Sequence, residues 1–431
     1  MQLADSNKPT THLGYCTNIH AGEKWHEVFA QLQKHVPLIK RQVSPDAAFG
    51  LGLRASMQSI TDLQDTSTFD QFAQWLKDEN LYVFTVNGFP YGTFHGTQVK
   101  ADVYRPDWSS DERLNYTCAI ADLLARLRPP DNIGSISTVP GTFRDWANES
   151  TRVAITHNLL RCVAHCLSVQ QDTGVTIKVA LEPEPACLLE TVDDVVSFFQ
   201  NELHTPAAAS QLGALAKCTE AQASEAIRTH LGVCYDICHA AVEFEDPVAG
   251  IQRMHSAGIP VIKLQLSSAL KIPVVDNNAL NALQSFDEPV YLHQVVERTR
   301  TKLTRFHDLP LAMQAHELAS QDANGKLNDM ATNDETEDAI DDASNKEWRV
   351  HFHVPVFLNT LESFGTTQDE LSQVLEAHAT TPLAAHLEVE TYTWDVLPEN
   401  YRNVTVDQAI ARELGWVMQQ LKRPNPRDAA A

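Results

Sequence analysis

Apolar and polar positions alternate along this chain in two rhythms. Short runs of period two, the spacing of a strand with one buried face, occur at Leu13–His20, Phe49–Arg54, Leu81–Asn87, Gly134–Val139, Thr176–Glu182, Leu231–Asp236, Val261–Ser267, Trp348–Val354 and His386–Tyr392. Longer stretches of helical character fill the gaps: Lys24–Leu38, Phe69–Asp78, Asp111–Leu127, Val153–Asp172, Val192–Leu203, Ala209–Thr229, Asp246–Ala257, Thr367–His378 and Val406–Gln420. Strands alternating with helices at this spacing predict βαβ units and a parallel sheet. Eight such repeats close a TIM barrel, a (β/α)8 fold of the α/β class. The strand candidates exceed that number by one, so one is expected in an insertion.

The rhythm breaks between Ala269 and Lys346, before the last strand. Within that stretch Val290–Glu297 and Leu303–Asp308 read as a β-hairpin. Ser320–Gly325 then leads into the acidic runs Asn333–Asp338 and Asp341-Asp342, expected to be a mobile solvated loop, with an acidic docking segment as the alternative. The expectation is one barrel over residues 1–422 with the insertion at 269–346, followed by a disordered tail at 423–431.

The ends of four strands carry ionisable groups. Glu182 and Glu184 in Leu181–Pro185 share a face, as do His386, Glu388 and Glu390 in His386–Glu390. Asp236 and His239 stand three apart in Tyr235–His239, and His351 and His353 share a face in Val350–Val354. So many ionisable groups beside apolar strands are costly to bury unless they bind something. In barrels of this kind the site lies at the C-terminal ends of the strands, where these groups fall. A divalent ion is the natural ligand: carboxylates suit Mg²⁺ or Mn²⁺, and imidazole widens the choice to Zn²⁺. The candidate ligands are Glu182, Asp236, one of His351 and His353, and one of Glu388 and Glu390. Rim salt bridges, a helix cap at Asp236 and satisfied core histidines are the competing readings of the same residues.

Glu184 and several other positions are candidates for substrate contact. Lys263 and Gln265 share one face of Val261–Leu266, where Lys263 can polarise a carbonyl or pair with a barrel glutamate. His20 follows the first strand, and the loop Asn87–Gly96 carries glycines and aromatics that can wall a pocket, with Asn87 and His95 at its ends.

Composition narrows the classes. The formal net charge of −23 over 431 residues argues against a nucleic-acid partner and an anionic membrane surface. No apolar run reaches the roughly 18 residues that would suggest a membrane span, and the start, Met1–Pro9, does not read as a secretory signal. The eight cysteines are scattered without CxxC spacing, which fits free thiols in a reducing cytoplasm. No P-loop or Ser/His/Asp order is present.

These segments resemble the xylose-isomerase-like TIM-barrel superfamily, which includes sugar isomerases, keto-sugar epimerases, inosose dehydratases and the endonuclease IV type. The epimerase branch implies a metal held by a Glu after the fifth strand, an Asp after the sixth, a His and a final Glu. Glu182 and Asp236 match the first two, Glu388 or Glu390 the last, and His239 the substrate-contacting His of an Asp-x-x-His motif. The chain departs from the pattern at its seventh strand, which offers Lys263 and Gln265 where the family has a metal-binding His. His351 or His353 can take that place.

More narrowly, the chain is similar to the EboE-type family of metabolite-traffic proteins of the bacterial Ebo cluster. The matching segments are Leu13–Glu23, Asn87–Gly92, Val103–Trp108, Leu181–Pro185, Tyr291–Val296, His351–Pro355 and Glu390–Pro398. The resemblances imply a metal-dependent isomerase or epimerase of a small sugar-like or carbonyl metabolite, with Glu182, Glu390, His239 and Lys263 catalytic and other Ebo proteins as partners. A non-catalytic metabolite carrier is the alternative. An endonuclease-IV-like phosphodiesterase needs a basic groove, which the net charge disfavours.

Overall fold

The computed structural model of the chain describes residues 1–3, 10–93, 95–96, 98–329, 346–361 and 363–422. Eight parallel strands form the barrel: β1 Thr11–Tyr15, β2 Phe49–Arg54, β3 Leu81–Asn87, β4 Ile133–Thr138, β5 Thr176–Leu181, β6 Leu231–Asp236, β7 Val261–Leu266 and β8 His386–Val389. Strands β2 to β7 pair in chain order. Strand β8 pairs in parallel with both β7 and β1. A parallel bridge between Cys16 and Gly52 joins β1 to β2 and completes the circuit. The short strand Gln2–Leu3 lies antiparallel on β1.

The strands read as near-continuous buried runs because helices cover the outer face and side chains fill the inner one. The outer helices begin where the sequence supplies an N-cap. Asp65, Ser110, Asn148, Thr219, Asp246 and Thr405 each accept a hydrogen bond from the first turn, a contact worth about 1 kcal/mol. The expected helix Ala209–Thr229 is instead two, Pro206–Ala216 and Glu220–His230. Lys217 turns left-handed at φ 54°, and Thr219 with Gln222 forms a capping box that starts the second helix.

Between β7 and β8 the chain builds a second, antiparallel sheet of six strands. Its order is Leu303–Phe306, Val295–Arg298, Glu347–Val350, Leu270–Ile272, Phe364–Thr366, Thr360–Leu361. The expected hairpin is present as Val295–Arg298 with Leu303–Phe306. The candidate strand Trp348–Val354 ends at Val350 and pairs within this sheet, so its histidines lie beyond the strand. The antiparallel strands also run past Lys346 as far as Thr366. A helix, Leu309–Asp329, covers Ser320–Gly325, where sequence suggested the approach to a loop. The acidic runs at 333–342 and the tail at 423–431 lie outside the described residues. Trp348, Val350, Phe352 and Phe364 of the second sheet pack into the same apolar cluster as the barrel strands. Among the described residues no helix is long and apolar enough to cross a membrane.

Candidate metal centre

A cleft of about 520 Å³, counted to its open mouth, sits at the C-terminal ends of the barrel strands. Each ionisable group in it is aimed by a local device. Glu182 follows β5, and its backbone N–H continues the ladder by donating to the Thr138 carbonyl at 3.0 Å. Two residues on, Glu184 accepts a hydrogen bond from the Tyr104 hydroxyl at 2.8 Å. Asp236 ends β6 and caps the short helix Ile237–Val242. Its Oδ1 accepts from the His239 N–H at 3.2 Å and from the Ser267 hydroxyl at 2.6 Å, which leaves Oδ2 without a hydrogen-bond partner. Glu182 Oε2 is likewise buried and without one.

Glu390 follows β8. Asn18 and Asn87 donate to its Oε1 at 2.7 and 2.9 Å, and Gln265 donates to its Oε2 at 2.5 Å. Asn18 reaches it because β1 stops at Tyr15 and residues Thr17–Ile19 form a 3-10 turn over the barrel mouth.

Hydrogen bonds assign the tautomers of the three histidines in the cleft. His239 Nδ1 donates to the Pro183 carbonyl at 2.8 Å, and His353 Nδ1 donates to the Glu390 carbonyl at 2.9 Å. His351 Nδ1 lies 2.7 Å from Gln294 Oε1, and the Gln294 amide is oriented by donating to the Tyr104 hydroxyl and the Pro185 carbonyl. Each ring therefore carries its proton on Nδ1 and presents a lone pair from Nε2. This is the arrangement in which a protein fixes imidazole as a metal ligand.

The donor atoms converge. Glu182, Asp236 and Glu390 each offer an oxygen within 4.8 Å of the others, as do the donor atoms of Asp236, His239 and His353, of Glu184, His239 and His351, and of Cys238, His351 and His353. His239 Nε2 and His353 Nε2 each lie 3.9 Å from Asp236 Oδ2. Burial, then the neighbouring Glu390 and Asp236 carboxylates, push Glu182 well above the usual carboxylate range. Burial, followed by Asp236 and Glu388, does the same to Glu390. Burial raises Glu184 as well. Burial lowers His351 far below its ordinary value and His353 to about 4. All of these directions disfavour the charged forms without a ligand, and a divalent ion reverses them for the carboxylates.

The remaining sequence candidates take other positions. Glu388 does not join the cluster: it sits one step deeper, in an ion pair with Lys263 at 2.5 Å, and both side chains are fully buried. Gln265 is fully buried below the cleft and holds Glu390 and the Cys234 thiol rather than a substrate. His20 accepts from the Tyr15 hydroxyl at 3.0 Å and stacks on His35 at 4.5 Å, away from the cleft lining. His95 bridges the Asn18 carbonyl and the Tyr291 hydroxyl at the rim. Asn87 lines the cleft but spends its amide on Glu390 and its oxygen on the Phe89 N–H.

Sequence reasoning passed over Asn18, Tyr104, Gln294, Tyr291 and Tyr392. Asn18 lies two residues before His20, and a search for amides beside the strand ends would have found it. Tyr104 and Gln294 act through Glu184 and His351, contacts that no local pattern signals.

No protein-family model matches the chain, and no curated protein matches it. Solved structures similar to it are xylose-isomerase-like TIM barrels. A xylose isomerase-like TIM barrel protein from Mycobacterium smegmatis in complex with magnesium is 9% identical with a TM-score of 0.47, over 95% of this chain and 96% of that one. An L-ribulose 3-epimerase is 12% identical with a TM-score of 0.45, over 97% of both chains. A probable 3-DHS dehydratase of petrobactin synthesis from Bacillus anthracis is 12% identical with a TM-score of 0.43, over 94% of this chain and 98% of that one. Likeness at this level carries no argument. The barrel rests on the strand order itself.

Proposed function

We propose that this chain is a metal-dependent enzyme of isomerase or epimerase type, acting on a small sugar-like or carbonyl metabolite. The observation that carries this reading is the convergence of Glu182, Asp236 and Glu390 at the ends of β5, β6 and β8, with Glu182 Oε2 and Asp236 Oδ2 buried and unpartnered. Orphaned buried carboxylate oxygens are expensive, and a cation is the ligand that satisfies several at once. His353 Nε2, 3.9 Å from Asp236 Oδ2, adds an imidazole, so the donor set fits Mn²⁺, Mg²⁺ or Zn²⁺.

When bound, such an ion polarises a carbonyl or a pair of hydroxyls. The chain's own groups do the rest. Glu182 and Glu390 face the cleft, where a carboxylate oxygen not taken up by the ion can take and return a proton at the carbon next to that carbonyl. His239 presents Nε2 to the substrate's oxygens, directly or through an ion held there. Tyr291 and Tyr392 meet edge-on at 5.0 Å and form an apolar wall that limits water at the reacting carbon. Lys263 contributes by neutralising Glu388 beneath the site and not by touching substrate.

On the sequence resemblance alone, we also place the protein in a cytoplasmic secondary-metabolite processing or traffic pathway, with other Ebo proteins as partners. The test of the reaction is proton exchange. Candidate metabolites incubated with metal-loaded protein in deuterated water should exchange a carbon-bound proton. Glu390→Gln should stop the exchange while ligand binding persists. Tight binding with no exchange under any divalent ion refutes the enzyme reading and leaves a carrier.

A further inference from the structure

The cleft holds more donors than one ion takes. Two of the convergent triads share no residue. Glu182, Asp236 and Glu390 are all carboxylates, whereas Glu184, His239 and His351 are mainly imidazole. His353 stands between them, grouped with Asp236 and His239.

Two further observations point to a cation on the histidine side. His351 Nε2 and His353 Nε2 face each other at 3.2 Å. Both rings already donate through Nδ1, to Gln294 and to the Glu390 carbonyl, so two lone pairs meet with no proton between them. A cation that accepts a lone pair removes the repulsion. Charge gives the second observation. Glu388 is balanced by Lys263. Glu182, Glu184, Asp236 and Glu390 remain, all buried, and together they carry the charge of two divalent ions. One ion would leave two of these buried carboxylates either protonated or uncompensated.

We propose a second divalent-cation site at Glu184, His239 and His351, beside the carboxylate site at Glu182, Asp236 and Glu390. Its nitrogen-rich donors select a borderline ion such as Zn²⁺, Co²⁺ or Fe²⁺, while the first site suits a harder one. His351 directly follows the second-sheet strand Glu347–Val350, so the segment between β7 and β8 completes this site, and the barrel strands alone do not. The inference rests on the first site's being a metal site.

The test uses the full chain, stripped with chelator and titrated with Co²⁺, with bound metal measured by equilibrium dialysis and visible absorption. Two ions per chain are expected. His351→Gln should bind one and lose the absorption of the histidine-rich site. Glu182→Gln should also bind one and keep that absorption. His239→Asn repeats the first variant at an independent position, and thermal melts of the metal-free proteins report folding. One ion per wild-type chain, or two in both histidine variants, overturns the proposal. If that single ion is lost in Glu182→Gln and kept in His351→Gln, the carboxylate site stands without the second. No bound ion in the wild type overturns both.

Discussion

The Lys263 ammonium lies 2.5 Å from the Glu388 carboxylate in the middle of the barrel, and neither side chain is exposed. Lys263 also donates to the Ser137 hydroxyl at 3.0 Å. Burial alone would lower the lysine, but Glu388 beside it holds it above its ordinary value. The Lys263–Glu388 contact is therefore both ionic and hydrogen-bonding. The space for this pair comes from Gly52 on β2, where an added Cβ would fall 1.4 Å from Glu388 Oε1.

Removing one partner of such a pair strands a buried charge. Lys263→Met should lose about 3–5 kcal/mol in urea unfolding. The double variant Lys263→Met/Glu388→Gln should recover most of that loss, because no full charge then remains. A single variant as stable as the wild type would show that the pair is not ionised.

Asn87 and Asn18 are expected to act on metal affinity through Glu390. Each donates to the same carboxylate oxygen, which orients it and favours its charged form. Asn87→Ala and Asn18→Ala should each weaken divalent-ion binding about 10–100-fold, as partners of ligands generally do. Competition with a chromophoric chelator measures this. Unchanged affinity in both variants would remove Glu390 from the ligand set.

Glu413 gives a pH dependence independent of the metal. It is buried, and burial pushes it up to about 7 although the Thr391 hydroxyl and the Val356 N–H donate to it at 2.6 and 3.1 Å. The folded value lies above the ordinary 4.5, so the folded state binds more protons between the two. This group's contribution is therefore most favourable at low pH and is lost as pH rises through about 7. Glu413→Gln should flatten the stability–pH curve by a slope approaching about 1.4 kcal/mol per pH unit in that window. Glu243 and Glu245, also raised to about 7, leave a residual slope in the variant, so the difference between the two curves is the quantity to read.

Phe352 separates the two cleft histidines of the insertion and is fully buried against Phe286 and His293, at 5.2 and 4.8 Å between ring centres. Phe352→Ala should cost about 3–5 kcal/mol in unfolding free energy. Ion binding should weaken with it, since His351 and His353 lose their anchor. Full affinity in a destabilised but folded variant would show that their hydrogen bonds to Gln294 and the Glu390 carbonyl suffice.

Much of this architecture follows from local chemistry. The period-two runs give all eight barrel strands because one buried face, or two, selects Val, Ile and Leu wherever the strand lies. Caps such as Asp65 and Thr405 start helices by contacts within a few residues. That Glu182, Asp236 and one of Glu388 and Glu390 could converge was legible, because carboxylates beside apolar strands are costly to bury unless they bind something. Depth and partnership were not legible. His386, Glu388 and Glu390 share one face of β8, yet they meet Ser135, Lys263 and the Asn18–Asn87 pair in turn. Periodicity fixes which face a side chain takes. The register of β8 against β7, His386 beside Lys263 and Glu388 beside Gln265, fixes how far up the barrel it stands, and each β7 side chain reaches the β8 residue two further on. His353 shows the same limit over a longer range. It comes within 3.9 Å of Asp236 only because the antiparallel sheet turns the chain back across the barrel mouth, a return decided by pairing among strands far apart in sequence.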